Sequence, residues 1–324
     1  MKAIVYARYG PPDVLRMTEV EKPVPRGNEV LVKVEAASVN AFDWHMLRGK
    51  PFVARLAGGL FRPRHAILGE DVAGKVEAVG RGVTRFKPGD EVFGDIAAGG
   101  SGGFAEYVCA RQDLLAPKPA NLAFAEAAAV PMAAVTALQA LRDKGKIQKG
   151  KRVLINGAAG GVGTFAVQLA RYFGAEVTAV CSARNLEQAR SLGAGRAIDY
   201  AQEDFAGQGE RYDLILGANG DRPLADYLRA LAPGGRYIMT GGSNRQIFQA
   251  LLLGPWLSRG GRKLGAMTAR ANREDLLFLT GLIEAGRLKP VIDRRYPLAG
   301  VADAIRYLEE GHARGKVVIT VAAG

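Results

Sequence analysis

The segment KRVLINGAAGGVGTFAVQLARYF, residues 151–173, decides the fold of this 324-residue chain. Residues 151–156 predict a buried strand, the glycines after them a tight turn, and residues 164–173 a helix. A glycine-rich turn alone is often only a tight turn. Between a strand and a helix, however, its N–H groups and the positive helix end favour a bound pyrophosphate. We therefore predict a dinucleotide site in which Gly160, Gly161 and Val162 face the phosphates.

Strands and helices alternate on both sides of this turn. Residues 176–181 predict a second strand, and residues 185–193 predict a helix that Gly193 ends in a left-handed conformation. Further strand patterns occur at residues 197–199, 213–217 and 236–239. This βαβ order is typical of a doubly wound parallel sheet, so we predict an α/β fold for this part of the chain.

The two ends of the chain have a different pattern of predicted strands and helices. Residues 1–120 predict many short strands with little helix, with residues 51–64 as a loop. The tail predicts helices at 273–286 and 301–310 and a closing strand at 316–321. We predict that residues 1–120 and 270–324 form one domain and residues 121–269 the dinucleotide-binding domain.

The residues after the second strand indicate which dinucleotide binds. Enzymes that use NAD usually place an acidic residue there, which accepts a hydrogen bond from the ribose 2′-hydroxyl. This chain instead has Ser182, which can donate to a 2′-phosphate, and Arg184, which can pair with it. Tyr200, after the next strand, is a candidate for the adenine or the same phosphate. We predict NADPH, although Arg184 also fits an ordinary surface charge.

Composition and charge exclude several classes of protein. With 48% hydrophobic and 23% charged residues, the chain is neither disordered nor fibrous. Two cysteines are too few for a disulfide framework, and no secretory signal is recognisable, so we expect a cytoplasmic protein. No apolar run is long enough to span a bilayer, and we expect no membrane partner. The net charge of +12 is spread along the chain, which favours a solvated basic surface over a nucleic-acid partner.

Several motifs together resemble a known family. They are SVNAFDW (38–44), LGEDVAGKVEAVG (68–80), FKPGDEVFG (86–94), NGAAGGVG (156–163) and HARGKVVIT (312–320). They are similar to the quinone oxidoreductase branch of the medium-chain dehydrogenases/reductases, which includes the zeta-crystallin-like and enone reductase proteins. The resemblance implies a GroES-like β-rich catalytic domain that is interrupted by a Rossmann domain.

The chain departs from the zinc alcohol dehydrogenases of that superfamily. Asn40 resembles the position of their cysteine ligand, and Glu70 lies where their histidine-containing motif falls. The four-cysteine structural zinc lobe has no counterpart, because Cys109 and Cys181 are the only cysteines. We therefore expect no metal. Without a Lewis acid, charge that develops on an isolated ketone is hard to stabilise, whereas an enone or quinone delocalises it.

The resemblance also assigns candidate site residues. Asn40 is a candidate donor to a carbonyl, Asp43 a group that orients a neighbour, and His45 a proton donor. The ordinary alternatives are an Asx turn, a helix N-cap and a surface histidine. Further candidates for cofactor contact are Thr136, Gly241, Gly242, Ser243 and Lys316; the alternative for Thr136 is a core hydroxyl and for Lys316 the start of a strand.

The leading hypothesis is an NADPH-dependent reductase of quinones or α,β-unsaturated carbonyls, which acts on a small molecule as a homodimer. A metal-free alcohol or aldehyde oxidoreductase is the alternative within enzymes. A nucleotide-dependent RNA-binding or regulatory protein is the alternative outside them, but no RNA-binding motif with interleaved aromatic residues occurs. Residues 245–262 favour a helix in a substrate pocket or dimer contact over one on a membrane surface, because Pro255 and the glycines of this segment interrupt it.

Overall fold

The computed structural model describes residues 1–52, 54–219, 222–241 and 261–321. The segment 245–262 falls almost entirely outside the described residues, so its predicted role stays a prediction. The strands are β1 Lys2–Val5, β2 Arg16–Glu19, β3 Glu29–Val39, β4 Asp71–Val79, β5 Glu91–Asp95, β6 Tyr107–Arg111, β7 Leu115–Pro117, β8 Arg152–Asn156, β9 Glu176–Cys181, β10 Arg196–Asp199, β11 Tyr212–Gly217, β12 Leu231–Met239, β13 Lys263–Ala266, β14 Ile292–Pro297 and β15 Lys316–Thr320.

The α-helices, numbered in chain order over the described residues, are α1 Ala41–Arg48, α2 Ala54–Gly58, α3 Phe124–Ala128, α4 Pro131–Leu138, α5 Gly161–Tyr172, α6 Leu186–Ser191, α7 Leu224–Ala230, α8 Arg273–Glu284 and α9 Val301–Glu309. A π-helical turn, Gln139–Lys144, follows α4. None of the described helices is both long and apolar enough to cross a membrane.

The chain forms two compact units. The first contains Met1–Val135, Ala271–Gly286 and Pro290–Gly324, and the second contains Thr136–Arg270 and Arg287–Lys289. The first boundary therefore lies later than the one we placed at 120/121. The reason is local packing, because α3 lies against β3 and β4 of the first unit and the Asn121 side-chain amide donates to the Ile283 carbonyl at 2.9 Å.

The first unit is built on a seven-stranded sheet. Its strand order is β14-β15-β3-β4-β5-β7, with β6 paired to β3, and β1 and β2 form a separate antiparallel pair. The closing strand β15 pairs with β3, so the end of the chain completes the sheet that its beginning starts. This arrangement confirms the GroES-like β-rich domain that the resemblance implied.

Two helices of the first unit correct the expectation of a region with little helix. Helix α1 begins after Asn40 because the Asp43 carboxylate accepts from the Asn40 backbone N–H at 2.7 Å, and it ends at Gly49, whose φ is 58°. Helix α2 lies inside the predicted loop 51–64. Its position is fixed by the Arg55 guanidinium, which packs over the Tyr9 ring at 4.7 Å.

The second unit is the predicted doubly wound sheet. Its six strands are all parallel in the order β10-β9-β8-β11-β12-β13. Counted from β8 as the first strand, this is the order 3-2-1-4-5-6 of the Rossmann fold. The α/β prediction is confirmed, and strand β9 has the bounds that the sequence predicted.

Helix α5 starts three residues before its predicted first residue. Gly160 is its N-cap, so Gly161, Val162 and Gly163 belong to its first turn. A Cβ on Gly163 would lie 2.1 Å from the Gly157 carbonyl oxygen, which shows how closely the helix approaches the turn. Only glycine permits this approach. The close contact packs the start of the helix directly against the turn.

We predict that Gly163→Ala lowers the free energy of unfolding by about 1–3 kcal/mol, because backbone atoms must move to admit the methyl group. Gly160→Ala is the matched control, since its Cβ would meet the Gly157 carbonyl oxygen at 3.7 Å, an ordinary contact. Urea unfolding monitored by circular dichroism measures both. Equal stability of the two variants would show that the close approach is not required.

Candidate active site and cofactor site

The carboxyl ends of the parallel strands bring the predicted cofactor residues of the second unit to one edge of the sheet. Strand β8 ends at Asn156 and its neighbour β11 ends at Gly217, with these two residues in register. The chain continues from β8 to β9 on one side and returns to β11 on the other. In open α/β sheets, ligands bind in the crevice at such a reversal of strand order.

The glycine turn has the geometry of a phosphate site. Gly157 has a φ of 82°, and a Cβ on it would lie 2.7 Å from the Asn219 backbone nitrogen. Gly160 then begins α5 with an extended conformation. The N-terminal N–H groups of α5 lack partners within the helix, and together with the helix dipole they suit a pyrophosphate. The turn and the start of α5 therefore fit a dinucleotide, and the contact of Gly160, Gly161 and Val162 with its phosphates stays a prediction.

The end of β9 presents a hydroxyl and a cation. Ser182 is half-buried, and its Oγ accepts a hydrogen bond from the Asn185 side-chain amide at 3.0 Å. This hydrogen bond uses the hydroxyl oxygen as an acceptor and does not use its proton. The proton can therefore be donated to a further acceptor. Arg184 is exposed two residues later. Tyr200 lies exposed beyond β10, and its N–H donates to the Cys181 carbonyl at 3.2 Å.

The remaining cofactor candidates of the second unit are distributed as follows. Thr136 is buried on α4. Gly241 follows β12, and a Cβ on it would lie 2.5 Å from the Ala218 carbonyl oxygen, so this backbone also packs closely. Gly242 and Ser243 lie outside the described residues. Lys316 lies in the first unit, where it is buried and begins β15, and its contact with the cofactor stays a prediction.

Asp71 is the centre of a buried polar cluster in the first unit. Its Oδ2 accepts from the Ser38 hydroxyl at 2.8 Å and the Asn40 amide at 2.9 Å, and its Oδ1 accepts from the Met132 backbone N–H at 2.9 Å. The Lys316 ammonium lies 3.2 Å from the same Oδ2 and also donates to Asn40 Oδ1. The two charges are thus neutralised away from water, which a buried ion pair requires.

A second pair of carboxyl groups, Asp43 and Glu70, adjoins this cluster. Both are fully buried. Asp43 accepts from the backbone N–H groups of Asn40 at 2.7 Å and Gly69 at 2.9 Å, whereas Glu70 Oε1 accepts from the Ser101 hydroxyl at 2.9 Å. Glu70 Oε2 receives no hydrogen bond from any donor among the described residues.

The unpaired oxygen of Glu70 has a simple explanation. The Asp43 carboxyl group is close enough to interact with Glu70, and two carboxyl groups can form a hydrogen bond only if one of them carries a proton. Burial raises the pKa of Glu70 well above its ordinary value, and the charge of Asp43 raises it further. Burial also raises the pKa of Asp43 to about 6, although its hydrogen bonds oppose the shift. The larger upward shift of the pKa of Glu70 favours Glu70 as the group that carries a shared proton.

His45 lies on α1 in a form that argues against a proton donor. Its Nδ1 lies 2.7 Å from the Lys50 carbonyl oxygen, and a carbonyl can only accept, so Nδ1 carries the hydrogen. Burial lowers the pKa of the ring, which favours the neutral form. In that form the single N–H is already used and Nε2 is an acceptor. The proposed role of His45 in proton transfer therefore loses support.

The first unit does not fit a catalytic zinc. Over the described ranges, no three His, Cys, Asp or Glu side chains are grouped to hold a metal ion. At the positions that resemble the zinc ligands, Asn40 Oδ1 accepts from the Lys316 ammonium, and Glu70 is paired with Ser101 and Asp43. These donors are held by protein partners, and a fixed ammonium ion already supplies positive charge beside Asn40.

Sequence reasoning missed Asp71 and Ser101, and it assigned no pairing to Lys316. One signal was present, because Glu70 and Asp71 are adjacent acids within an apolar stretch that reads as a buried strand. Acidic residues in a core need partners. The pattern does not reveal which partners, since Ser38, Lys316 and Met132 come from distant parts of the chain.

A Rossmann unit with a phosphate-binding turn, joined to a β-rich unit with a buried polar cluster, defines a nucleotide-dependent oxidoreductase. Family models match residues 26–120 as an alcohol dehydrogenase GroES-like domain and residues 192–319 as a zinc-binding dehydrogenase. The chain belongs to the medium-chain dehydrogenase/reductase superfamily, in its quinone oxidoreductase branch. It is thus an oxidoreductase that uses a nicotinamide dinucleotide.

Three relatives illustrate this membership. The 2-methylene-furan-3-one reductase of Solanum lycopersicum is 39% identical, with 98% of this chain and 79% of that protein covered. The NADPH-dependent alkenal/one oxidoreductase (chloroplastic) of Arabidopsis thaliana is 36% identical, with the same coverage of 98% and 79%. The structure of the quinone oxidoreductase from Coxiella burnetii is 33% identical over 99% of both chains, with a TM-score of 0.90.

We predict that Lys316→Met lowers the free energy of unfolding by about 3–5 kcal/mol, because it leaves the Asp71 charge buried without its partner. Lys22→Met is the matched control. It removes the same charge from an ion pair of 2.7 Å with Glu77, but both side chains there are about two-fifths exposed, so we expect a much smaller loss than for Lys316→Met. Urea unfolding compares them, and losses of similar size would contradict the electrostatic role of Lys316.

Proposed function

We propose that this protein is a zinc-independent, NADPH-dependent reductase of quinones or α,β-unsaturated carbonyl compounds. The observation that carries the proposal is the polar cluster of the first unit. In it, Lys316 and Asp71 form hydrogen bonds with Asn40, which lies at the position that resembles the cysteine zinc ligand of the zinc alcohol dehydrogenases. The names of the relatives support the substrate class, since these proteins are named as reductases or oxidoreductases of a 2-methylene-furan-3-one, of alkenals and enones, and of quinones.

The choice of NADPH is supported by the end of β9. Ser182 can donate its hydroxyl proton to a 2′-phosphate, and Asn185 holds its oxygen in place. Arg184 supplies a charge-assisted hydrogen bond to the same group. A carboxylate at this position would favour NADH, but the chain has none between Cys181 and Leu186. When bound, the cofactor supplies a hydride.

Asn40 is the candidate donor to the substrate oxygen. A primary amide has two N–H groups, and the hydrogen bond to Asp71 uses one of them. The other is uncommitted within the described part of the chain and can stabilise an oxygen that becomes negative. One neutral donor suffices more easily for an enolate or a hydroquinone anion than for a localised alkoxide. The neutral form of His45 leaves solvent as the source of the final proton.

We predict that Arg184→Ala weakens NADPH binding by about 1–3 kcal/mol and leaves NADH binding nearly unchanged, because only NADPH carries the 2′-phosphate. Arg190→Ala, which removes another exposed arginine from the nearby α6, is the matched control and should alter neither. Quenching of protein fluorescence gives both dissociation constants. Equal weakening of NADPH and NADH, or tighter binding of NADH by the unaltered protein, would contradict the assignment.

The reaction itself is tested with an α,β-unsaturated ketone and NADPH that is deuterated at the transferred position, with and without a metal chelator. We expect a saturated ketone with deuterium on the β-carbon, formed at the same rate in both samples, because conjugation spreads the developing charge. Deuterium on the carbinol carbon of an allylic alcohol would instead establish the metal-free alcohol or aldehyde oxidoreductase. Loss of turnover with the chelator would overturn zinc independence.

A further inference from the structure

Residues 48–52 and 54–64 contribute exposed apolar and cationic side chains to one surface, which we call the basic apolar patch. Phe61 is 89% exposed, Leu56 70% and Phe52 64%, and Leu60 is also exposed. Ten large apolar side chains are exposed among the described residues, and these four lie within ten positions of one another. Single exposed apolar residues are ordinary, but such a concentration marks an interaction surface.

The charge of the basic apolar patch is one-sided. The sequence contains five arginines and lysines and no acidic residue between positions 44 and 69. Arg48 is neutralised by Glu309, but Lys50, Arg62 and Arg64 are exposed. None of these three forms an ion pair within the described ranges. The patch therefore presents unneutralised positive charge beside its apolar side chains.

The backbone of the basic apolar patch is tied to the fold of the first unit. The Tyr9 hydroxyl donates to the Gly59 carbonyl, and the Arg64 N–H donates to the Gly58 carbonyl at 2.6 Å. Arg55 lies over the ring of Tyr9 at 4.7 Å and donates to the Gly49 carbonyl at 3.1 Å. These contacts hold the backbone of the segment against the first unit. The side chains of Leu56 and Phe61 are therefore exposed although the backbone that carries them is packed.

The chemistry of the basic apolar patch discriminates between possible occupants. In a two-fold dimer the same surface lies on both sides of the interface, so Arg62 and Arg64 would meet like charges. Single-stranded nucleic acid stacks its bases on aromatic side chains, which Phe52 and Phe61 supply, but Leu56 and Leu60 add exposed apolar surface on which a base cannot stack. An anionic bilayer satisfies both features, because apolar side chains enter the acyl boundary while cations contact the headgroups.

We propose that the basic apolar patch docks this protein on the surface of membranes that contain anionic lipids. This revises our expectation that no membrane is a partner, which rested on the lack of a spanning segment, on the even spread of basic residues and on the interrupted pattern of residues 245–262. A docked protein lies on the bilayer and needs no span. The inference is independent of the enzymatic activity, since it rests on residues that belong to neither the cofactor site nor the polar cluster.

Sedimentation with phosphatidylcholine vesicles, with and without phosphatidylglycerol, tests the proposal on the full chain. We expect binding only to the anionic vesicles, weakened by added salt. Leu56→Glu/Phe61→Glu should reduce the partition coefficient about tenfold or more, and so should Arg62→Ala/Arg64→Ala.

Two controls match these changes elsewhere in the first unit. Met17→Glu/Val24→Glu adds two carboxylates at apolar side chains that are 52% and 75% exposed outside the basic apolar patch. Arg81→Ala/Arg85→Ala removes two exposed arginines with the same change in net charge. Both should bind vesicles within about twofold of the unaltered protein. Thermal unfolding of every variant shows that it is folded.

Three results would overturn the proposal. The first is equal vesicle binding by the patch variants and their controls, which would reduce the effect to net charge. The second is binding to single-stranded RNA, but not to vesicles, that the patch variants lose. The third is a change of oligomeric state on size-exclusion chromatography in Leu56→Glu/Phe61→Glu, with no vesicle binding by the unaltered protein, which would make the surface a contact between copies.

Discussion

The buried carboxylate of Asp71 is the interaction on which the architecture of the first unit depends. It gathers the Ser38 hydroxyl from β3, the Asn40 amide before α1, the Met132 N–H in α4 and the Lys316 ammonium from β15. These four groups come from three widely separated parts of the sequence, since only Ser38 and Asn40 are neighbours, and each group satisfies part of a charge that would otherwise be costly to bury. The sheet, the start of α1 and the return of the chain at β15 therefore meet at one ion. A change in any of the four donors affects the other three, because they share the same two oxygen atoms.

Local signals explain why the second unit could be predicted well from the sequence. Strand β9 and the turn at Gly157–Gly160 depend on an apolar run, on glycines and on short connections, all of which are visible within about twenty residues. The first unit depends on contacts that the chain makes at long range, and there the sequence indicated residue types but not partners. Lys316 is an example: its position before a strand suggested either a cofactor contact or a strand start, and its pairing with Asp71 and Asn40 required the fold. Helices α1 and α2 were missed because they are short and are held by Asp43 and by Tyr9.

The distribution of charge connects the polar cluster with the surface. Asp43, Glu70, Asp71 and Asp95 are among the buried acidic side chains, and burial raises the pKa of Asp95 to about 7. These acids contribute little negative charge to the surface because they are buried, and Lys316 pairs with Asp71. The exposed cations have no comparable loss. The net charge of +12 in the sequence therefore understates how positive the exterior is, and the region around Arg62 and Arg64 shows this most directly.

The same cluster bears on the proposed choice of substrate, because it holds an amide and an ammonium group where zinc enzymes have metal ligands. A zinc ion stabilises an alkoxide by direct coordination, so it tolerates substrates whose charge is confined to one oxygen. Here the positive charge nearest to Asn40 is an ammonium ion whose contacts are to the protein, with the Asn40 oxygen and with Asp71. Lys316 can polarise the Asn40 amide and strengthen its remaining N–H as a donor, because the amide oxygen accepts a charged hydrogen bond. Under the proposed role of Asn40, the substrate oxygen meets one strengthened neutral donor in place of a Lewis acid. Such a donor suits acceptors that share the developing charge over a conjugated system, and it disfavours isolated carbonyls on physical grounds.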